Sequence, residues 1–268
     1  MINRLLIIGC GNMGSAMLAG WLAAGVSPDR FAVLDPGLGE APGAVTFYSN
    51  ADDAAAAGAH DAVLLGFKPQ QLGALGPGLQ ALTGEGVSVY SLLAGITLAQ
   101  LGEAFPSADA HIRVMPNLAA RIGKSPVILS ERGLTSEQRA AAFALFDQLG
   151  SALWLEGEEQ FDLVTALAGS GPGFVYRFID GLAQAAAQLG LEPEQANSLA
   201  LATVEGASAL ASASDASPGE LADRVASPGG MTREGLNVLD ADDALVKLLV
   251  ETLRATRDRG AELSQGAS

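Results

Sequence analysis

The sequence predicts an α/β chain in which a domain built on a mostly parallel sheet is followed by an all-α domain. Three observations carry this. Short apolar runs alternate with helical stretches through the first half of the chain. Between the first apolar run and the first helix stands G-x-G-x-x-G, at Gly9, Gly11 and Gly14. After "LWLEGEE" the strand pattern stops, and residues from about Gln160 onward read as helical almost throughout. The boundary falls near Gly157, which gives domains 1–157 and 158–268.

The elements follow in order. Leu5–Ile8 is the first strand. The opening "MINRLLIIGC" has the outline of a lipoprotein processing signal, but its apolar run is too short for one. A helix over Asn12–Ala24 ends at Gly25, where a helix-terminating glycine belongs. Phe31–Leu34 is the second strand, a short third strand precedes Asn50, and a helix covers Ala51–Ala57. Strand Ala62–Phe67 leads into a helix over Pro69–Leu82, with Pro69 suited to its first turn. Then come strand Val87–Tyr90, helix Thr97–Phe105, strands Ile112–Met115 and Val127–Leu129, helix Thr135–Leu149 and strand Ala152–Leu155. The second domain opens with two long helical stretches, has two more segments, and ends with a helix around Asp242–Leu263. Gly169–Gly173 interrupts the first of these, either as a kink for close helix packing or as part of a site.

Composition removes several classes of function. Thirty acidic against fifteen basic residues give a net charge of −15, which repels a nucleic-acid duplex. A small anion is still allowed, because backbone dipoles act over a few ångströms. One cysteine excludes an internal disulfide and fits a reducing compartment such as the cytoplasm. No apolar run has the length of a membrane span. With two histidines and one cysteine at no ligating spacing, a transition-metal site lacks ligands and a serine-hydrolase triad is unsupported. His60, beside an Ala-rich helix end, is expected in solvent, and His111 begins a strand.

The glycine pattern assigns a cofactor class. Gly9 permits a tight turn, Gly11 lets a pyrophosphate approach the backbone, and Gly14 lets the helix lie close to the sheet. The helix N-terminus then faces the phosphates of a dinucleotide, the Rossmann arrangement. Asp35 ends the second strand twenty-one positions past Gly14, where an acid accepts hydrogen bonds from the adenosine ribose; alternatively it only starts the turn "DPGLG". Asn50 caps the following helix or reaches the ribose. Lys68 and Asn117 each end a strand at the sheet's carboxyl edge, as ligand contacts or as structural residues. Near the far end, Pro228-Gly229-Gly230 leaves amides unshielded at a helix start, a cup for a small anion.

With those residues in view, the chain resembles the pyrroline-5-carboxylate reductases, over nearly its whole length. The resemblance rests on "IGCGNMG", "FKPQQL", "LLAGIT", "RVMPN", "LAGSGPGFVY" and above all "ASPGGMTREGL". It implies reduction of a cyclic imine to L-proline by NADPH or NADH. It implies cofactor contacts from Gly9, Cys10, Gly11, Asn12, Met13, Gly14, Asp35, Asn50, Phe67, Lys68, Pro69, Ala94, Gly95 and Asn117. Ser227, Gly229, Gly230 and Met231 would then hold the substrate carboxylate, with the Thr232 hydroxyl facing the ring nitrogen as the catalytic group. It further implies a dimer of interleaved C-terminal helices, assembled in some members into a decamer. One departure stands out: the family's usual "MPNTP" reads Met115-Pro116-Asn117-Leu118-Ala119 here.

Two alternatives belong to the same reading. One is a related Rossmann dehydrogenase or imine reductase on another substrate; a dehydrogenase of β-hydroxy acids would use a lysine from the first helices of the second domain, and none lies between Lys124 and Lys247. A dinucleotide-sensing protein without turnover would not need an intact Ser-Pro-Gly-Gly-Met-Thr loop. On cofactor choice, Asp35 and the absence of Lys or Arg from Phe31 through Phe67 predict a preference for NADH.

Overall fold

The computed structural model describes residues 2–40 and 43–266. The chain divides into two compact units, residues up to 169 together with those from 256, and residues 170–255.

Among the described residues, the first unit is built on eight strands: β1 (Leu5–Ile8), β2 (Phe31–Leu34), β3 (Thr46–Tyr48), β4 (Ala62–Leu65), β5 (Ser88–Ser91), β6 (Ala110–Met115), β7 (Ser125–Arg132) and β8 (Gly150–Trp154). Their order is β3-β2-β1-β4-β5-β6-β7-β8, parallel except for the antiparallel β6–β7 pair. Strands β1, β2 and β4 read as unbroken apolar runs because the sheet is covered on both faces there. Leu5 and Ile7 of β1 join one core, with Trp21, Phe31, Tyr90 and Phe146, while Leu6 and Ile8 join the other, with Val63, Leu65 and Phe105. Trp21 stacks on Phe31 at 5.2 Å between ring centroids, and its indole N–H donates to the Leu145 carbonyl at 2.8 Å.

Between the strands run α1 (Asn12–Ala23), α2 (Ala51–Ala56), α3 (Leu72–Leu75), α4 (Leu98–Ala104) and α5 (Ser136–Phe146). The helix expected over Pro69–Leu82 is instead one α turn, α3, flanked by 3-10 segments Pro69–Gln71 and Gly76–Leu82. Gly73, Gly76, Pro77 and Gly78 explain this, since they weaken or remove the hydrogen bonds of a regular helix. Strand β7 runs eight residues, not three; its buried Ser125 and Ser130 hid the ends from an apolar search.

His60 corrects an expectation. It is buried, edge-on to Tyr48, rather than solvated. The Asp61 carboxylate accepts the N–H groups of Asn3 and Arg4, and the Arg4 guanidinium donates to the Ala59 carbonyl, which draws this segment against the sheet. Among the described residues, the His60 Nε2 has no hydrogen-bond partner. Burial, and then the Arg4 charge, lower the His60 pKa below its ordinary value, against an opposing effect of Asp61.

The helical part comprises α6 (Phe161–Val164), α7 (Gly171–Gln188), α8 (Pro193–Ser212), α9 (Pro218–Val225), α10 (Met231–Asp240) and α11 (Ala244–Gly266). The break expected over Gly169–Gly173 falls at Ser170, just after a π-helical stretch over Thr165–Gly169, a local widening common at functional sites. Pro172 then sits in the first turn of α7, where its missing N–H is harmless. The core of residues 170–255 is small: Ala183, Ala196 and Ala200, with Ile179 and Leu191 beside them. Tyr176, Phe178, Leu199, Leu210, Val238 and Val246 stay exposed. Among the described residues, no helix is long and apolar enough to cross a membrane.

Candidate active site

The carboxyl ends of the parallel strands β1, β2, β4, β5 and β6 share one edge, with the strand order reversing at β1. Nearly all the expected cofactor residues of the first unit collect there. Gly9 follows β1 at φ 85°, and a Cβ on it would lie 2.8 Å from the Phe67 nitrogen. A Cβ on Gly14 would lie 2.9 Å from the Gly9 carbonyl oxygen. At Gly11, none of the described residues lies within 4 Å of that position. Two glycines thus serve close packing, and the third leaves an open approach to the start of α1. Gly11 is also the N-cap of α1, supplies no side-chain acceptor, and is followed by no acid in the first turn. Those amides and the helix dipole suit a pyrophosphate, so the residues present fit a dinucleotide. Asn12 is exposed and Met13 half-buried, while Cys10 is buried. Burial, and then the Asp35 charge, push the Cys10 thiol up to about 11, so it stays protonated near neutrality.

Asp35 does more than start a turn. One carboxylate oxygen accepts the Cys10 N–H at 2.8 Å, and the other accepts the Gly37 N–H at 2.9 Å. It therefore ties the glycine loop to the turn after β2. A carboxylate has about four acceptor positions, so these bonds leave room for ribose hydroxyls. Asn50 caps α2, accepting the Asp53 N–H at 2.9 Å. Phe67 packs against the second core, Lys68 is exposed, and Pro69 opens the next 3-10 turn. Ala94 is exposed and Gly95 lies beside it at φ 79°, in the turn leading to α4.

Asn117 is buried and hydrogen-bonded through both its side chain and its backbone. Its amide NH₂ donates to the Ala168 carbonyl, its oxygen accepts the Ala119 N–H, and its own N–H donates to the Ser125 hydroxyl, each at 2.9 Å. Proline at 119, the family's usual residue, would have no N–H for the second bond. Here the departure from the family pattern adds a tether.

In the second unit, Ser227–Gly230 forms a turn closed by the Gly230 N–H donating to the Ser227 carbonyl at 2.9 Å. Pro228 and Gly229, the latter at φ 70°, occupy the two central positions as a type II turn requires. Gly230 is the N-cap of α10, and a Cβ there would lie 2.6 Å from the Ser227 hydroxyl oxygen. The Ser227 hydroxyl therefore stands over the helix start, where helix geometry leaves the Met231 and Thr232 amides without an intrahelical acceptor. The Gly230 N–H, expected among the anion donors, is occupied by the turn. Met231 and Thr232 are exposed.

Sequence reasoning missed three residues that shape these places. Gly66 was assigned to the fourth strand, yet a Cβ on it would lie 2.4 Å from the Gly9 carbonyl. Arg113 and Arg233 have no assigned role in the sequence motifs that contain them. Only the glycine left a signal, in its position just after an apolar run.

Comparison with known proteins bears directly on this arrangement. A pyrroline-5-carboxylate reductase of Methanosarcina acetivorans is 33% identical over 98% of both chains. The chain belongs to the pyrroline-5-carboxylate reductase family. Residues 158–263 match the family model for pyrroline-5-carboxylate reductase dimerisation, which supports self-association. Residues 4–95 match the model described as NADP oxidoreductase, coenzyme F420-dependent. Among solved structures, a pyrroline-5-carboxylate reductase from Coxiella burnetii is similar at a TM-score of 0.90, with 29% identity over 98% of this chain and 99% of that one. The Plasmodium falciparum pyrroline carboxylate reductase with NADP bound has a TM-score of 0.80 and 25% identity, covering 98% and 99%. Family membership thus joins a Rossmann-like dinucleotide domain to a helical dimerisation domain.

Proposed function

We propose that this chain reduces the C=N bond of 1-pyrroline-5-carboxylate to give L-proline, with NADH or NADPH as reductant. The observation that carries the reading is the Ser227–Thr232 loop at the start of α10, in a chain similar to the family's reductases from end to end. The Ser227 hydroxyl and the Met231 and Thr232 amides hold the substrate carboxylate, and the Thr232 hydroxyl orients the ring nitrogen. Gly9, Gly11 and Gly14 with the start of α1 hold the pyrophosphate, Asp35 holds the adenosine ribose, and the loops at Lys68, Ala94 and Asn117 border the rest.

The reduced nicotinamide supplies a hydride when bound. A protonated imine is already electrophilic, so the protein's task is orientation, and no strong general acid is needed. Asp35 sets cofactor choice: a carboxylate held by the Cys10 and Gly37 amides repels the 2′-phosphate of NADPH, so NADH is preferred. The helices after 157 form the substrate and dimerisation domain, and a dimer in the cytoplasm is the working form. Loss of reduced-nicotinamide absorbance on adding pyrroline-5-carboxylate, run separately with NADH and NADPH, tests the reading. No imine-dependent oxidation with either cofactor would refute it.

A further inference from the structure

The Ser227–Thr232 loop is flanked by α9 and α10, and one side chain joins the two. Arg233, in the first turn of α10, donates through one guanidinium nitrogen to the Asp223 carboxylate on α9 at 2.8 Å. The same nitrogen donates to the Ala226 carbonyl at 3.3 Å, and Ala226, the residue just before the loop, is buried. We infer that Arg233 and Asp223 are positioning residues, a tie across the base of the loop that holds the Ser227 hydroxyl and the first amides of α10 in place before substrate arrives. This rests on the reading of Ser227–Thr232 as the substrate loop.

The chemistry favours this role over an ordinary surface ion pair. A cation in the first turn of a helix is opposed by the helix dipole, so Arg233 stands at an unfavourable place unless something compensates it. Asp223 supplies that compensation. The two N–H groups of that one guanidinium nitrogen serve a carboxylate and a carbonyl together. Inside the span that Arg233 closes, the loop has a turn bond from Gly230 to Ser227 and a glycine at positive φ. Glycines favour loop mobility, and ordering them on binding would weaken affinity for a small anion. A tie at the base removes that ordering step.

The role predicts a particular kinetic pattern. The carboxylate is held alike in the ground state and the transition state, so loosening its cradle raises KM and leaves kcat nearly intact. Arg233→Met and Asp223→Asn should each raise KM for the imine about three- to tenfold, with kcat within about twofold and KM for the dinucleotide unchanged. The double variant should be no worse than the worse single one, because both break one interaction. In hydrogen-exchange measurements on the full-length protein, the Gly230 amide, whose N–H closes the turn, should exchange faster in both single variants.

Additive effects would overturn the inference, as would an unchanged imine KM in an active enzyme. A lower KM in Asp223→Asn would also overturn it, since that would mean a freed Arg233 binds the substrate itself. A parallel rise in dinucleotide KM would point to general loosening instead. Exchange is read without turnover: an unchanged rate at Gly230 refutes the tie, whereas a faster rate in a chain that reduces no imine would refute only the reading of the loop. An exchanged pair, Asp223→Arg with Arg233→Asp, checks that loss in the single variants is not misfolding. It should recover part of the slow exchange, and no recovery with a native circular dichroism spectrum counts against the tie.

Discussion

Arg113 and Glu158 meet at 2.7 Å across the start of the helical segment, with the arginine side chain almost fully buried. Arg113 lies on β6, and its guanidinium stacks over the Phe161 ring at 3.8 Å and approaches Asp162 at 3.9 Å. The same Glu158 oxygen accepts the Leu98 N–H at the first turn of α4, at 2.8 Å. One ion pair therefore holds together β6, the helix that follows the Ala94–Gly95 turn, and the segment entering α6. Asn117, four residues along, adds the bond to Ala168.

Breaking this pair should be costly. Removing one partner of a buried ion pair typically destabilises by about 3–5 kcal/mol, and the partial exposure of Glu158 lowers that figure to about 2–3 kcal/mol for Glu158→Ala. Urea unfolding at fixed protomer concentration measures it. A change within about 0.5 kcal/mol would show that Asp162 takes over the Arg113 charge.

Thr232→Val should lower kcat/KM about ten- to a hundredfold, or ~1.4–2.7 kcal/mol, with dinucleotide binding retained. Steady-state kinetics of the purified variant provide the check. Wild-type turnover would remove the Thr232 hydroxyl from the reaction.

For cofactor choice, like charges about 4 Å apart repel by roughly 4 kcal/mol at an effective dielectric near 20, and water reduces this to about 1–3 kcal/mol. The kcat/KM for NADH should exceed that for NADPH about ten- to a hundredfold, and Asp35→Ser should narrow or reverse the gap. Because Asp35 also anchors the Cys10 amide, the variant should weaken NADH binding as well. A tenfold preference for NADPH in the unmutated enzyme would mean that Asp35 serves the loop alone.

Self-association should be obligate. An exposed apolar surface as extensive as that of α7 to α11, over a core of three alanines, is unfavourable in a free protomer. Light scattering at micromolar concentration should show no monomer, and a stable, active monomer would contradict the prediction.

The burial of His60 predicts a pH dependence. Its folded pKa lies below the ordinary value of 6.5, so above that value both folded and unfolded forms are neutral there and no dependence arises. As pH falls through 6.5, the unfolded chain takes up the proton before the folded one, and stability declines until the folded pKa is reached. Urea midpoints between neutral and mildly acidic pH should fall more steeply for the wild type than for His60→Asn. Parallel profiles would assign the decline to other groups.

The strands β1 and β2, the glycine turn and the helix after it could be read directly, because each is specified by neighbours within about fifteen residues and by a two-face burial that leaves an unbroken apolar run. The loop Ser227–Thr232 could be read for the same local reason: proline and glycine restrict the backbone themselves. Glycine and proline also broke the expected Pro69–Leu82 helix, where their effect was underweighted against hydrophobic spacing. What tertiary structure alone decided are the partners of polar groups distant in sequence. Asp35 could start a turn, hold a ribose or anchor a loop, and only the approach of the Cys10 amide shows the third role. Arg113, Arg233 and His60 look ordinary in the sequence, because a side chain's charge is local information while its burial and its partner depend on which distant segment the fold brings beside it.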